Sequence, residues 1–271
     1  MGDIVESLID IDQLVYASAS VGEKKNLTRS NMEILFLGSV RRRAKEAQEL
    51  VPSIKIHKYF VTGKRNFRKR LRAENVYKGN RPPKPEAYEY LHDRAVRGGA
   101  IVDDFLEADD LTAMRHNLSA VNGAYSTVLV DQDKDLDQVA GWRIVPSLYR
   151  HSELIREPTL RFITVEEAHK SFYTQLLSGD AVDNITGFTN IGKSRASEIL
   201  AGAVTEWELW DKVVNFYFKT YLHQGVSLCD IVSKIISRGS LLYLKRGRED
   251  VFIPPLRKKD GKVKPKGSRE G

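Results

Sequence analysis

The stretch "SGDAVDNITGFTNIGKSRASEIL", Ser178 to Leu200, places two carboxylates three residues apart, Asp180 and Asp183, ahead of a run of turn residues. Ile191-Gly192-Lys193-Ser194 then leads into a short apolar-periodic segment. The pattern reads as a hairpin of two helices: one ends near Gly179, the turn holds Gly187, Thr189 and Asn190, and Gly192 opens the second. Backbone N–H groups at such a helix start, with Lys193 and Ser194 beside them, form a seat for a phosphate. Glycine at 187 and 192 lets another backbone approach closely. Such a hairpin grips a strand of duplex by its phosphates and reads no bases. An ordinary helix–turn–helix corner is the plainer alternative for these residues taken alone.

The rest of the chain is consistent with a polyanionic partner. Its 271 residues suit one large domain or two small ones with ample core. The single cysteine, Cys229, excludes an intramolecular disulfide framework and a cysteine-based zinc site, and fits a reducing compartment. No apolar run is long enough to span a bilayer, and the N-terminal residues do not read as a signal peptide. The net charge of +7 is unevenly placed. Lys64 to Arg81 carries eight basic residues against Glu74 alone, and 254–271 carries seven against Asp260 and Glu270. Asp103, Asp104, Glu107, Asp109 and Asp110 crowd into eight positions. Segregated basic stretches suggest a polyanion, and segregated acids suggest a cation.

Periodicity predicts an α/β protein with a mostly parallel central sheet flanked by helices. Strands are expected at Ser7 to Asp10, Ile54 to Val61 and Thr127 to Val130, with helices at Glu33 to Leu50, Pro85 to Val96 and Leu106 to Leu118 between them. Arg65 to Arg81 is basic and weakly amphipathic and closes at Gly79-Asn80-Arg81-Pro82-Pro83, where the prolines force a loop. After about Thr164 the pattern turns helical, with capping boxes at Thr164–Glu167 and Thr205–Glu208. Trp207, Trp210, Val214, Tyr217 and Tyr221 form one helical stripe that reads as a packed face. The expected organisation is an α/β core over 1–163, including a basic arch region at about 64–98, a helical region over 164–253, and a basic tail over 254–271 whose composition cannot bury a core.

Acids recur where strands end: Asp10 and Asp12, then Asp131, Asp133 and Asp135. In open α/β sheets the ligand crevice lies beyond the carboxyl ends of the strands. Glu107 and Asp110 share a helix face at i, i+3, with Asp109 pointing elsewhere, and Asp180 and Asp183 repeat that spacing or sit on a tight turn. Carboxylates in such number converge only if a cation relieves their repulsion, and all-oxygen donors suit Mg²⁺ or Mn²⁺.

In order along the chain, Ile9-Asp10, Tyr77-Lys78-Gly79-Asn80-Arg81, Glu107-Ala108-Asp109-Asp110, Asp133-Lys134-Asp135-Leu136, Gly179-Asp180-Ala181-Val182-Asp183-Asn184 and Gly187 through Ala196 resemble the 5′-nuclease superfamily. That family comprises flap endonucleases, the 5′-nuclease domain of bacterial DNA polymerase I, and phage 5′→3′ exonucleases. The chain looks most like the stand-alone exonucleases of small tailed phages. The resemblance implies a PIN-like core, a helical arch and a helix–three-turn–helix duplex clamp. It implies that Asp10, Glu107, Asp109, Asp110, Asp133, Asp135, Asp180 and Asp183 form the metal site, with Asp131 outside the family's Asp-Lys-Asp register. It implies that Tyr77, Lys78 and Arg81 hold the scissile phosphate. Lys64, Arg65, Arg68, Lys69 and Arg70 would guide DNA, and Gly187, Gly192, Lys193 and Ser194 would clamp the duplex, with K⁺ bound at the clamp. One departure stands out: where the family usually has an aspartate after the second strand, this chain has Gly63, so either Asp12 substitutes or one metal lacks a ligand.

The expected function is therefore metal-dependent 5′→3′ hydrolysis of DNA from duplex or nicked 5′ ends with two Mg²⁺ or Mn²⁺ ions. Flap cleavage and RNA-primer removal are further expected activities, in phage DNA replication, recombination or host DNA breakdown within the host cytoplasm. The expected partner is DNA, or an RNA–DNA hybrid, with no membrane and no protein partner indicated. A PIN-like ribonuclease shares the acidic core but generally lacks the Gly179 to Leu200 hairpin. A non-catalytic binder of branched DNA has Gly63 as its support.

Overall fold

The computed structural model describes residues 4–121, 124–150 and 153–256. The tail expected over 254–271 lies outside the described residues except for Pro254, Pro255 and Leu256. The first half of the chain runs β1 (Glu6–Asp10), α1 (Asp12–Lys24), α2 (Arg29–Leu50), β2 (Ile56–Thr62), a 3₁₀ turn (Phe67–Arg70), α3 (Tyr88–Arg97), β3 (Ile101–Asp103) and α4 (Ala108–Leu118). Next come the short pair β4 (Ala120–Val121) and β5 (Ala124–Tyr125), β6 (Thr127–Val130), a second 3₁₀ turn (Lys134–Gln138) and β7 (Gly141–Val145). The hairpin β8 (Leu148–Arg150) and β9 (Glu153–Arg156) precedes β10 (Thr159–Ile163). The remainder is α5 (Val165–Ser178), β11 (Gly179–Asp180), β12 (Ile185–Thr186), α6 (Lys193–Ile199), α7 (Glu206–Leu222) and α8 (Leu228–Leu242).

Six strands form one sheet in the order β10-β7-β6-β1-β2-β3. All neighbours are parallel except the β10–β7 edge pair. Every residue of β1 is buried, as expected of a strand covered on both faces by crossover helices. The register sets Ile9 opposite Tyr59 on β2 and Val130 on β6, so Asp10, Thr62 and Asp131 leave the sheet at the same end. That end is where the site lies. The sequence reading assigns no strand at β7 or β10. Arg143 sits at the centre of β7 and is only 1 % exposed, which breaks the apolar pattern a strand there would show.

The segment between β2 and α3 differs from expectation. In place of a helical arch, residues 64–87 contain the single 3₁₀ turn Phe67–Arg70 and then a succession of turns. Asn66 caps that turn by accepting from the Arg68 amide at 2.8 Å. Pro82, Pro83 and Pro85 hold off helix until α3 begins at Tyr88. Leu71, Ala73 and Tyr77 pack into the core formed by α5 to α8 rather than standing clear of the molecule.

The two capping boxes appear as read, at the starts of α5 and α7. The buried stripe of α7 is Leu209, Val213 and Tyr217; Trp210, Val214 and Tyr221 flank it half-buried. After α8 the chain returns to the α/β core, where Leu244 packs with Leu8 and Phe60. No described helix is long and apolar enough to cross a membrane.

Gly187 corrects the reading of the hairpin. A Cβ there would lie 2.0 Å from the Ser178 carbonyl oxygen, so the glycine admits the chain's own backbone, not a ligand's. Its neighbour Gly179 has φ +70° and meets Gly187 in the same way. Gly192 has open space around it. Gly187→Ala is expected to lower the unfolding free energy by about 2–3 kcal/mol, whereas Gly192→Ser, which supplies an N-cap hydroxyl to α6, should change it by less than about 1 kcal/mol. Urea denaturation of both variants checks this; equal effects would contradict the packing role of Gly187.

Candidate active site and metal centre

At the carboxyl end of the sheet, short polar turns aim the acids. Asp10 Oδ1 accepts the Asp12 amide at 2.8 Å, and Asp131 Oδ1 accepts the Asp133 amide at 2.6 Å. Asp133 Oδ1 in turn accepts the Asp135 amide at 3.0 Å. Each side chain is thus locked by the backbone two residues on. Asp131, left outside the set by the sequence register, is buried beside Asp10. It is 2 % exposed and its carboxylate acts directly on Asp10. The available signal was its place immediately after an apolar strand that pairs with the strand ending in Asp10.

The electrostatics of this group are unrelieved. Burial pushes Asp10 well above the usual carboxylate range, and Asp131, Asp12 and Asp109 push it further. Burial raises Asp131 to about 6 in spite of Arg43 nearby. Asp135 rises to about 7, through burial and then Asp133 and Asp180, although Gln175 donates to it. Asp12 and Asp109 are raised as well, chiefly by burial. Buried like charges of this kind are stable as anions only with a cation among them. The donors are carboxylate oxygens throughout, so the residues fit hard divalent metal ions.

Glu107, Asp109 and Asp110 stand at the N-terminus of α4, where Glu107 and Asp110 form a capping box. The three offer oxygens within 4.8 Å of one another, so Asp109 joins the cluster instead of pointing away from it. In the first turn of a helix the free N–H groups and the dipole favour exactly such anions, and Asp109 Oδ1 accepts the Asp110 amide at 2.7 Å.

Arg68 requires the clearest correction. Read as a DNA-guiding residue, it is 1 % exposed. Its guanidinium lies 2.9 Å from Glu107 Oε2 and spans both Asp110 oxygens at 2.5 and 2.8 Å. It also donates to the backbone oxygens of Leu241 at 2.9 Å and Tyr243 at 2.8 Å. Two buried carboxylates and two helix-end carbonyls outcompete solvent for it. Asp110 is fully buried and also accepts the Lys245 amide at 3.0 Å, so both its oxygens are engaged.

Tyr77 and Lys78 also bond Glu107, and with Arg81 they reach Asp183. The Tyr77 hydroxyl lies 2.7 Å from Glu107 Oε2 and 2.7 Å from Asp183 Oδ2. Lys78 Nζ bonds Glu107 and sits 3.6 Å from Asp183, while Arg81 pairs with Asp183. Burial alone would raise Glu107, but Lys78 and Arg68 hold it down at about 2. Lys78 adopts φ +56°, fixed by its amide donating to the Asp183 carbonyl at 2.9 Å. Asp180 is buried at β11, its Oδ1 accepting the Val182 amide at 2.8 Å.

Other expected positions fall outside this centre. Lys64, Arg65, Lys69 and Arg70 are exposed, with Arg65 and Arg70 resting over the Phe105 ring. Lys193 and Ser194 are exposed at the start of α6. Gly63 is closed to any side chain, because a Cβ there would lie 2.1 Å from the Asp103 carbonyl oxygen. The carboxylate of Asp12 reaches the same strand end, its Oδ1 accepting the Thr62 amide at 3.0 Å.

No family model matches the chain. Comparison with solved structures shows the fold of the phage 5′-nucleases. The bacteriophage T5 D15 protein crystallised with metal ions is similar with a TM-score of 0.52 and 15% identity, over 90% of this chain and 94% of that one. A bacteriophage T5 D15 flap endonuclease complex with DNA and metal ions gives a TM-score of 0.48 and 16% identity, over 86% of this chain and 99% of that one. A T5 5′-exonuclease mutant gives 0.44 and 16%, over 88% and 97%. At these identities the likeness is one of fold.

Two outcomes follow from the site. Arg68→Met should destabilise by about 3–5 kcal/mol, since it leaves the fully buried Asp110 with no cationic partner among the described residues; a loss under about 1 kcal/mol in urea denaturation would mean the ion pair is dispensable. The second concerns pH. A carboxylate whose folded pKa is raised favours the fold while protonated, and that contribution is lost as pH rises through the folded value. Without metal, thermal stability should therefore fall between about pH 4 and 7 as Asp131 and Asp135 ionise. Excess Mg²⁺ should remove that decline. Asp131→Asn should raise Tm in EDTA at pH 8 and shrink the Mg²⁺-induced rise; a variant less stable in EDTA, with the full Mg²⁺ response, would refute the placement of Asp131.

Proposed function

We propose that this chain is a metal-dependent 5′-nuclease that hydrolyses DNA phosphodiesters at duplex or nicked 5′ ends, with flap cleavage and removal of RNA from RNA–DNA hybrids as further activities. The observation that carries this reading is the acid-lined end of the parallel sheet with Tyr77, Lys78 and Arg81 set directly against it. The likeness of the fold to a structure co-crystallised with metal ions supports it.

Asp10, Asp12, Glu107, Asp109, Asp110, Asp131, Asp133, Asp135, Asp180 and Asp183 are the residues available to hold two Mg²⁺ or Mn²⁺ ions. Such ions supply an activated water and stabilise the leaving oxygen of an in-line displacement. The protein's own cations have a separate task. Lys78 and Arg81 neutralise Glu107 and Asp183, and release of those acids frees both side chains to meet the negative charge that develops on the scissile phosphate. Arg81 is half-exposed and can follow a bound strand; Lys78 is more deeply held and points into the crevice. The Tyr77 hydroxyl, shared between Glu107 and Asp183, keeps the loop that carries them in place.

Lys193 and Ser194 at α6 would contact duplex backbone, and K⁺ at the hairpin is part of the same proposal. Gly63 supported the non-catalytic reading; the Asp12 carboxylate at the same strand end, which accepts the Thr62 amide, supports Asp12 as its substitute and hence the catalytic reading. The α5–α6 hairpin sets the chain apart from a minimal PIN-like ribonuclease.

The decisive experiment incubates labelled duplex carrying a 5′ overhang with Mg²⁺ and with EDTA. Cleavage in Mg²⁺ only, abolished by Asp133→Asn with duplex binding retained, is the expected result. Lys78→Ala should lower turnover about 10²–10³-fold while binding changes only a few-fold. Normal turnover with weakened binding would move Lys78 from the reacting phosphate to general strand attraction, and metal-independent cleavage would overturn the proposed chemistry.

A further inference from the structure

A cleft of about 280 Å³ opens between the 3₁₀ turn Lys134–Gln138, β10, α5 and the start of α6. Four cationic side chains line it, each from a different element: Lys134, Arg161, Lys170 and Lys193. Its two acids are already engaged. Asp137 pairs with both the buried Arg143 and Arg161, and Glu167 accepts the Thr164 amide at 2.8 Å in the capping box of α5. Lys134, Lys170 and Lys193 form no ion pair with any described residue, and Lys193 lies against Lys134 as a like charge. Ser171 and Thr174 line the α5 wall, one turn apart from Gln175 and Lys170 respectively, and neither hydroxyl has a partner among the described residues.

We propose that this cleft is a phosphate subsite that holds an internucleotide phosphate of the bound DNA strand away from the point of cleavage. The inference rests on the DNA-acting reading given above. Cations from four separate elements converge on a concave space, which suits a compact tetrahedral anion better than a flat acidic surface. The mix of ammonium, guanidinium and hydroxyl donors matches phosphate oxygens. The cleft also adjoins the acid cluster. Gln175 forms part of its wall and donates to Asp135, and Gln138 donates to Gln175, so a phosphate seated here lies one carboxamide from the crevice. Lys170 projects from α5, the first helix of the hairpin, whereas Arg161 comes from β10 and Lys134 from the turn after β6, so the cleft extends beyond the hairpin itself.

The test uses the full chain and a fluorescein-labelled duplex with a 5′ overhang, kept uncut in EDTA, with binding read by anisotropy from about 50 to 300 mM KCl. Lys170 is exposed on α5, and the Lys170→Glu and Lys170→Ala variants are first matched to the parent by thermal melting. Lys170→Glu should weaken duplex binding about tenfold near 0.1 M salt and reduce the salt slope by about one, with Lys170→Ala intermediate, because one phosphate contact is lost. Millimolar 5′-dAMP should fail to displace the duplex. A parent that binds duplex with the same affinity and slope as both variants overturns the subsite and leaves the nuclease reading standing. Displacement by 5′-dAMP that Lys170→Glu abolishes, with duplex affinity unchanged, would assign the cleft to a free nucleotide and overturn the strand-phosphate assignment. A parent that binds no duplex at any salt overturns the nuclease reading itself.

Discussion

A single guanidinium, that of Arg68, ties the segment after β2 at once to the start of α4 and the end of α8. Burying a charge is costly unless it is paired and fully hydrogen-bonded, and Arg68 meets both conditions with Glu107, Asp110 and the carbonyls at the end of α8. The consequences spread from there. The segment after β2 is drawn inward and tightened into a 3₁₀ turn. The N-terminus of α4 is fixed with Glu107 aimed at the crevice. The end of α8 is pinned to the α/β core, where the Lys245 amide also bonds Asp110. The basic segment and the C-terminal helices are thereby parts of one structure with the sheet.

The crevice has the opposite energetics. Its carboxylates repel one another and are partly desolvated, so they oppose folding in the absence of cations. Arg68 and Lys78 offset this at Glu107, and Arg81 does so at Asp183. Asp10, Asp131 and Asp135 have no comparable partner, and their pKa values remain high. A site that binds metal and phosphate is expected to look unstable when empty, because strong affinity for a cation requires charges that are poorly satisfied without one.

A third network links the crevice to the helical region. Gln138 donates to Gln175 and to the Leu242 carbonyl, and Gln175 donates to Asp135. The carboxamides carry no charge, so they orient Asp135 without neutralising it. They also join the end of α8, the middle of α5 and the turn after β6 by directional bonds, which restricts the relative movement of the acids at Asp135 and Asp180.

Much was legible in the residues alone. Apolar strands running into acids marked the binding end of a parallel sheet, because strand direction and ligand position are linked in such folds. The capping boxes at Thr164 and Thr205 and the prolines before α3 set helix boundaries, because those signals act over three or four residues. Other features were settled only by contacts remote in sequence. A basic run does not reveal which of its members turns inward, so Arg68 read like its neighbours although its carboxylate partners lie some forty residues on. Asp131 comes to lie beside Asp10 because β6 pairs with β1, and Gly187 makes room for the Ser178 carbonyl of the chain itself. Local sequence determined where elements begin, end and carry charge. Tertiary structure decided which charges were buried together, because desolvation and Coulomb interaction depend on distance in space, which position along the chain does not encode.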